Sequence, residues 1–169
     1  MPAALAGRAA AEQKTTMVYT IAQDPLDDAE VLALLQLHLD EMHRWSPACK
    51  VHALPAERLR APDVTFFVVR DGPVLAAVGA LKELAPDRGE LKSMRAAPAY
   101  RGKGAGQAIL LHLLAEAQAR GYRWVGLETG RPAAFQPAVR LYAKHGFTEC
   151  PAFGDYVSDE FSLCMEKWL

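Results

Sequence analysis

Six residues, Arg101-Gly102-Lys103-Gly104-Ala105-Gly106, hold three glycines and two cations immediately before the apolar run "QAILLHLL". Glycine is among the poorest residues for starting a helix, so such a start points to a ligand. Without Cβ atoms the backbone turns tightly and approaches a bulky anion, its N–H groups face the anion's oxygens, and the helix start adds partial positive charge. The neighbourhood agrees: Arg88, Lys92, Arg95, Arg101 and Lys103 stand against Glu90 alone between residues 88 and 106. The chemistry is the gripping of a phosphate or pyrophosphate. A G-x-x-x-x-G-K-[ST] loop fails, because Gly104 follows Lys103 and position 97 is Ala97. G-x-G-x-x-G fails as well, its last position falling on Gln107 or Ile109, so ATP and NAD sites are disfavoured.

Other reactive residue types carry less. His38, Asp40, Glu41 and His43 lie close together without H-E-x-x-H spacing, and no metal is expected. Cys49, Cys150 and Cys164 are odd in number and contain no C-x-x-C pair, against a disulfide framework and in keeping with a reducing cytoplasm. A net charge of −1 gives the chain as a whole no reason to seek nucleic acid or an anionic membrane, and no segment offers the ~18 apolar residues of a membrane span.

The elements that must position the loop follow from periodicity. "MVYTIAQ" alternates as a strand, and "AEVLALLQLHLDEMHRW" is a helix with Val31, Leu34, Leu35, His38 and Met42 on one stripe, stopped by Ser46-Pro47. After a loop and a short helix near residues 56–60, "VTFFVVR" and "PVLAAVGALKEL" form a hairpin about Asp71-Gly72, and "GELKSMRAA" is a further strand ended by Pro98. A helix over residues 105–120 buries Ile109, Leu110, Leu113, Leu114 and Ala117 and closes at Arg120-Gly121. Strand "RWVGLET", a helix with Pro137 in its first turn and Gly146 past its end, and strands "FTECPAF" and "FSLCMEKW" complete the chain. The fold class is α+β, a mixed sheet with helices. Residues 1–16, rich in alanine, are expected to be a flexible leader and residues 17–169 a single domain.

"MRAAPAYRGKGAG" resembles the acetyl-coenzyme A motif of the GNAT superfamily of N-acetyltransferases: arginine or glutamine, then x-x-G-x-G/A, after a strand and a proline. Arg101, Gly104 and Gly106 match it, and "LYAKHGF" is similar to the family's last helix and following strand. The resemblance implies a central, mostly antiparallel twisted sheet, splayed between its fourth and fifth strands and flanked by helices. It implies acetyl-coenzyme A as co-substrate, with its pyrophosphate on the amides of Arg101, Gly102, Lys103, Gly104, Ala105 and Gly106. Its pantetheine arm would run between residues 90–97 and 124–129, touching Met94, Arg95, Ala96 and Thr129.

Acyl transfer to an amine needs a base for the ammonium, stabilisation of an oxyanion and a proton for the departing thiolate. Glu90 and Glu128 stand on the two strands expected to flank the slot. Either serves as base, Glu90 resembling the base of some family members and Glu128 alternatively holding the ammonium; pairing with Lys92 or Arg123 is the competing structural role. Tyr142 is similar to the family's general acid, with a core tyrosine as its alternative, and a backbone amide among residues 94–96 would stabilise the oxyanion. One departure stands out: where many relatives carry asparagine, seven positions before this tyrosine, the residue is Phe135. The acceptor pocket is expected around Arg44, Trp45, Ser46 and His52, closed by Asp155-Tyr156. The expected activity is transfer of an acetyl group to a primary amine of a small molecule or peptide in a ternary complex. A non-catalytic acyl-coenzyme A sensor is the alternative, and a homodimer through the late strands is a further expectation.

Overall fold

A computed structural model describes residues 16–169; the leader expected at residues 1–16 lies outside the described residues except for Thr16. The seven strands form one sheet, β1 (Thr20–Gln23), β2 (Val64–Asp71), β3 (Val74–Ala85), β4 (Arg88–Ala96), β5 (Trp124–Gly130), β6 (Thr148–Glu149) and β7 (Ser162–Trp168), in the order β1-β2-β3-β4-β5-β7-β6. The long helices are α1 (Ala29–Trp45), α3 (Ala105–Ala119) and α4 (Gln136–Lys144); α2 (Ala56–Leu59) is a single turn. All neighbouring strands run antiparallel except β4 and β5.

Both faces of the sheet are covered, so β2 buries four residues in succession, Phe66 to Val69. Phe67 and Val69 pack with Ile109, Leu110 and Leu113 of α3, whereas Phe66 and Val68 pack with Val31, Leu34 and Leu35 of α1. Helix α1 begins where the Asp28 carboxylate accepts from the Glu30 amide at 2.8 Å and ends at Ser46. Its buried stripe departs from the apolar pattern at one point: Glu41 is buried, whereas Met42 is only half-buried. The reason lies across the sheet, in an ion pair between Glu41 and Arg95 of β4.

Two strands are shorter than their sequence suggests. β1 starts at Thr20 rather than Met17, and Tyr19 instead sends its hydroxyl to the Lys103 carbonyl at 2.8 Å. The strand expected over residues 147–153 shrinks to Thr148–Glu149, since Pro151 cannot donate to a ladder. Residues 150–161 become a strap across the α1 face.

The parallel pairing of β4 with β5 stops after three rungs, Arg88↔Trp124, Gly89↔Val125 and Glu90↔Gly126. Beyond Glu90 the strands part, which is the splay expected between the fourth and fifth strands. β4 also carries a bulge: Ala80 pairs with Lys92 but Val78 with Arg95, so Ser93 and Met94 share the space opposite Gly79, with Ser93 at φ 54°. A Cβ on Gly79 would lie 2.7 Å from Ile109 Cγ1 and 2.8 Å from Met94 Sδ, so only glycine fits there.

Candidate active site

The loop ahead of α3 sorts its own amides. Arg101 N–H donates to the Pro98 carbonyl and Lys103 N–H to the Tyr100 carbonyl at 3.2 Å, building the turn. The amides of Gly102, Gly104, Ala105, Gly106 and Gln107 find no acceptor among the described residues, and no side chain caps the helix. Gly102 at φ 72° and Gly104 at φ 84° occupy the left-handed region that favours glycine. Orphan amides at a helix start form an anion site. The Lys103 ammonium lies 5.5 Å from the Tyr100 ring centroid, Ala105 is fully buried, and neither residue is among those lining the adjoining cavity.

A cavity of about 650 Å³ runs from this loop into the splay. Arg101, Gly102, Gly104 and Gly106 line one end, and Met94, Ala96, Thr129 and Tyr142 line the slot, so these expected cofactor contacts come together. Trp45, Ser46 and His52 of the expected acceptor region also border it, as does Arg95.

Strand alternation divides the catalytic candidates. Leu91, Val125 and Leu127 pack with α3, which turns Glu90, Lys92 and Glu128 toward α1 and the strap. Glu128 borders the cavity, and its carboxyl is pushed up to about 7, chiefly by burial, against the Ser162 hydroxyl and the Lys92 charge, which favour ionisation. Glu90 is enclosed instead. Tyr156 Oη donates to it, Lys92 Nζ stands 3.4 Å from it, and Glu90 is absent from the cavity wall. The Lys92 pairing considered for Glu90 is thus present, while the ion pairs formed by the described residues include none between Glu128 and Arg123.

Tyr142 is buried on α4, with Phe147 packed edge-on at 5.8 Å. Burial raises the phenol well above its ordinary range, so it stays protonated. Its hydroxyl has no hydrogen-bond partner among the described residues. Phe135 is buried against Gly130, where a Cβ would come within 2.4 Å of its ring, and meets Trp45 edge-on at 5.9 Å. It walls the cavity without filling it.

Two arrangements escape sequence reasoning because their partners are far apart in the chain. The strap is tied down by the Lys50–Asp159 ion pair and by His52 against the Tyr156 ring at 5.0 Å. Beside the loop, Glu41 accepts from Arg95 and from Arg101 at 3.4 Å, and burial together with the Arg95 charge lowers His38 to about 4. The acidic and histidine types near residues 38–43 are visible in the sequence as a cluster, but their use as an arginine clamp is not. Among the described residues no group of three or more potential metal ligands forms, and no helix is long and apolar enough to cross a membrane.

Residues 31–147 match the model of the Acetyltransferase (GNAT) family. The chain is 43% identical over 146 residues to the uncharacterized N-acetyltransferase YsnE of Bacillus subtilis, covering 86% of this chain and 97% of the relative. It is 45% identical over 145 residues to the uncharacterized N-acetyltransferase YedL of Escherichia coli, covering 86% and 91%. A solved structure from Klebsiella pneumoniae superposes with a TM-score of 0.72 at 29% identity, over 90% of this chain and 99% of that one. A Bacillus subtilis acetyltransferase crystallised with coenzyme A superposes at 0.66 and 17% identity, over 90% and 99%.

Proposed function

The chain belongs to the GNAT family of acetyltransferases, and from that premise we propose that it moves an acetyl group from acetyl-coenzyme A directly to a primary amine of a small molecule or peptide, within a ternary complex. The observation that carries this reading is the continuity of one cavity from the unpartnered amides of Gly102, Gly104 and Gly106, through the gap beyond Glu90 and Gly126, to Glu128. The coenzyme A held by the superposable Bacillus subtilis acetyltransferase supports it.

In this reading the pyrophosphate lies on the loop amides and the pantetheine arm enters the splay past Met94, Ala96 and Thr129. Glu128 takes the proton of the acceptor ammonium, directly or through water; a carboxyl near 7 is matched to that task at neutral pH. The amine nitrogen attacks the thioester carbonyl, a backbone amide among residues 94–96 steadies the oxyanion, Tyr142 gives its proton to the sulfur as the C–S bond breaks, and the second proton shed by the nitrogen passes through water to restore the Tyr142 phenol. Glu90 holds Tyr156 and Lys92 and so shapes the wall rather than the reaction. The compartment is a reducing cytoplasm, in which the free thiols of Cys49, Cys150 and Cys164 persist. Pairing of two copies near exposed Trp168, beside the short edge strand β6, completes the proposal.

Release of free coenzyme A, followed by thiol titration over a panel of amines, tests the chemistry. Release that depends on an amine and yields the N-acetyl product supports it. Tight coenzyme A binding with no amine-dependent release would identify a sensor instead.

A further inference from the structure

The wall facing α1 and the strap is unevenly charged. Lys50, Lys92 and Arg95 border the cavity, and among the described residues the only carboxylate on that wall is Glu128. The compensating acids stand behind the wall, Asp159 on Lys50 and Glu90 on Lys92. For the third cation the compensation is incomplete, because Glu41 is shared between Arg95 and Arg101. Two guanidinium charges meet one carboxylate.

Arg95 is also unsatisfied in its hydrogen bonds. Its side chain is 9% exposed, one Nη atom reaches Glu41, and its Nε is buried without a partner. The neighbouring His38, which borders the same cavity, has a buried Nδ1 without a partner, and its ring is held neutral by burial and by the Arg95 charge. Buried polar nitrogens are nearly always paired, and leaving one unpaired is costly. Of the three guanidinium nitrogens, only the second Nη is neither bonded to Glu41 nor sealed from solvent, and a charge-assisted N–H bond from it matches a carboxylate entering the cavity. Because Val78 pairs with Arg95 and packs with the α1 side, the Arg95 side chain stands on the same face as Glu128.

We propose that the acceptor amine also carries a carboxylate, as a free amino acid does, and that the open Nη of Arg95 receives it while Glu128 faces the ammonium. This rests on the acetyl-transfer reading and names its substrate class. The carboxylate is a spectator: the new bond is still N–C and the broken one C–S, one nitrogen proton leaves through Glu128 to solvent, and the other replaces the proton that Tyr142 gives to the sulfur. The shared Glu41 keeps Arg95 oriented, and Arg101 remains at the pyrophosphate end.

The test compares kcat/KM, read as coenzyme A release, for the protein amino acids and for their α-carboxamides, which keep the amine and lose the anion. The acids are expected to exceed the amides by about 10–100-fold, the range of one charge-assisted hydrogen-bonded contact. Arg95→Gln should bring that ratio to about one by raising KM for the acid, and Arg95→Lys should restore part of it, since charge survives but the fork does not. Amides turned over as well as acids, or Arg95→Gln raising KM for acetyl-coenzyme A instead, would overturn the inference and leave acetyl transfer standing. The comparison on the unaltered protein holds even if Arg95 variants fold poorly. Tight coenzyme A binding without release by any acid, amide or simple amine would end both readings.

Discussion

The Tyr156 hydroxyl donates to the Glu90 carboxylate and accepts from Lys92 Nζ at 2.6 Å. This contact separates two glutamates that are equivalent by sequence position. Glu90 is occupied by the strap, whereas half-buried Glu128 borders the cavity. Glu128→Gln should lower kcat by about 10²-fold or more, the scale of a lost general base, and Glu90→Gln by much less. The wild-type rate should fall below a pH near 7, where the Glu128 carboxyl takes up its proton. A pH–rate profile whose acidic limb survives in Glu128→Gln would remove it from the mechanism.

The same carboxyl makes a prediction about stability. Its folded-state value near 7 lies above its ordinary 4.5, so the folded protein holds a proton that the unfolded chain releases. Stability therefore declines as pH rises through this window, and the full penalty applies above 7. Glu128→Gln lacks that penalty. Its melting temperature should exceed the wild type's at pH 8, with the gap closing toward pH 4; thermal scans at both values decide it.

Tyr142→Phe removes a single oxygen at a buried site with no partner to orphan. Turnover should drop by about 10²-fold, with coenzyme A affinity and melting temperature nearly unchanged. Equal loss of turnover and stability would make Tyr142 a packing residue.

Gly104 adopts φ 84°, and a Cβ added to it would meet nothing within 4 Å, so Gly104→Ala tests backbone conformation alone. The left-handed conformation costs an L-residue about 1–2 kcal/mol, a fall of roughly 2–8 °C in melting temperature for a domain of this size. Coenzyme A, but not ATP or NAD, should stabilise the wild type against heat, because a ligand bound only by the folded state raises its apparent stability. In Gly104→Ala that protection should shrink beyond the intrinsic loss. Equal protection in both proteins would place the pyrophosphate elsewhere.

How much of this is legible in the sequence depends on range. Elements set by local pattern are readable: the α1 stripe up to His38, the hairpin of β2 and β3, and the glycine start of α3 with its left-handed turns. The splay is implied only through the family resemblance that the motif and element order carry. What depends on distant partners is not readable. Nothing near Glu41 announces Arg95, 54 positions away, and nothing near Glu90 announces Tyr156, 66 positions away. Alternation places Glu90 and Glu128 on the same face, but only the course of the strap determines which one is covered. The short β6 is the opposite case, a local signal in Pro151 that an apolar run outweighs.

Three rungs, Arg88↔Trp124 through Glu90↔Gly126, are all that join β4 to β5, while the pairings on either side of this seam run the length of their strands. Across this seam the sheet is joined less by backbone bonds than by the core under α3, which packs Leu91 of β4 with Val125 and Leu127 of β5. Amide hydrogens bordering the gap beyond Glu90 and Gly126 should exchange before those paired along β3 and β7. A molecule wedged into the seam would act as the missing rungs, making the cosubstrate a part of the protein's own cohesion.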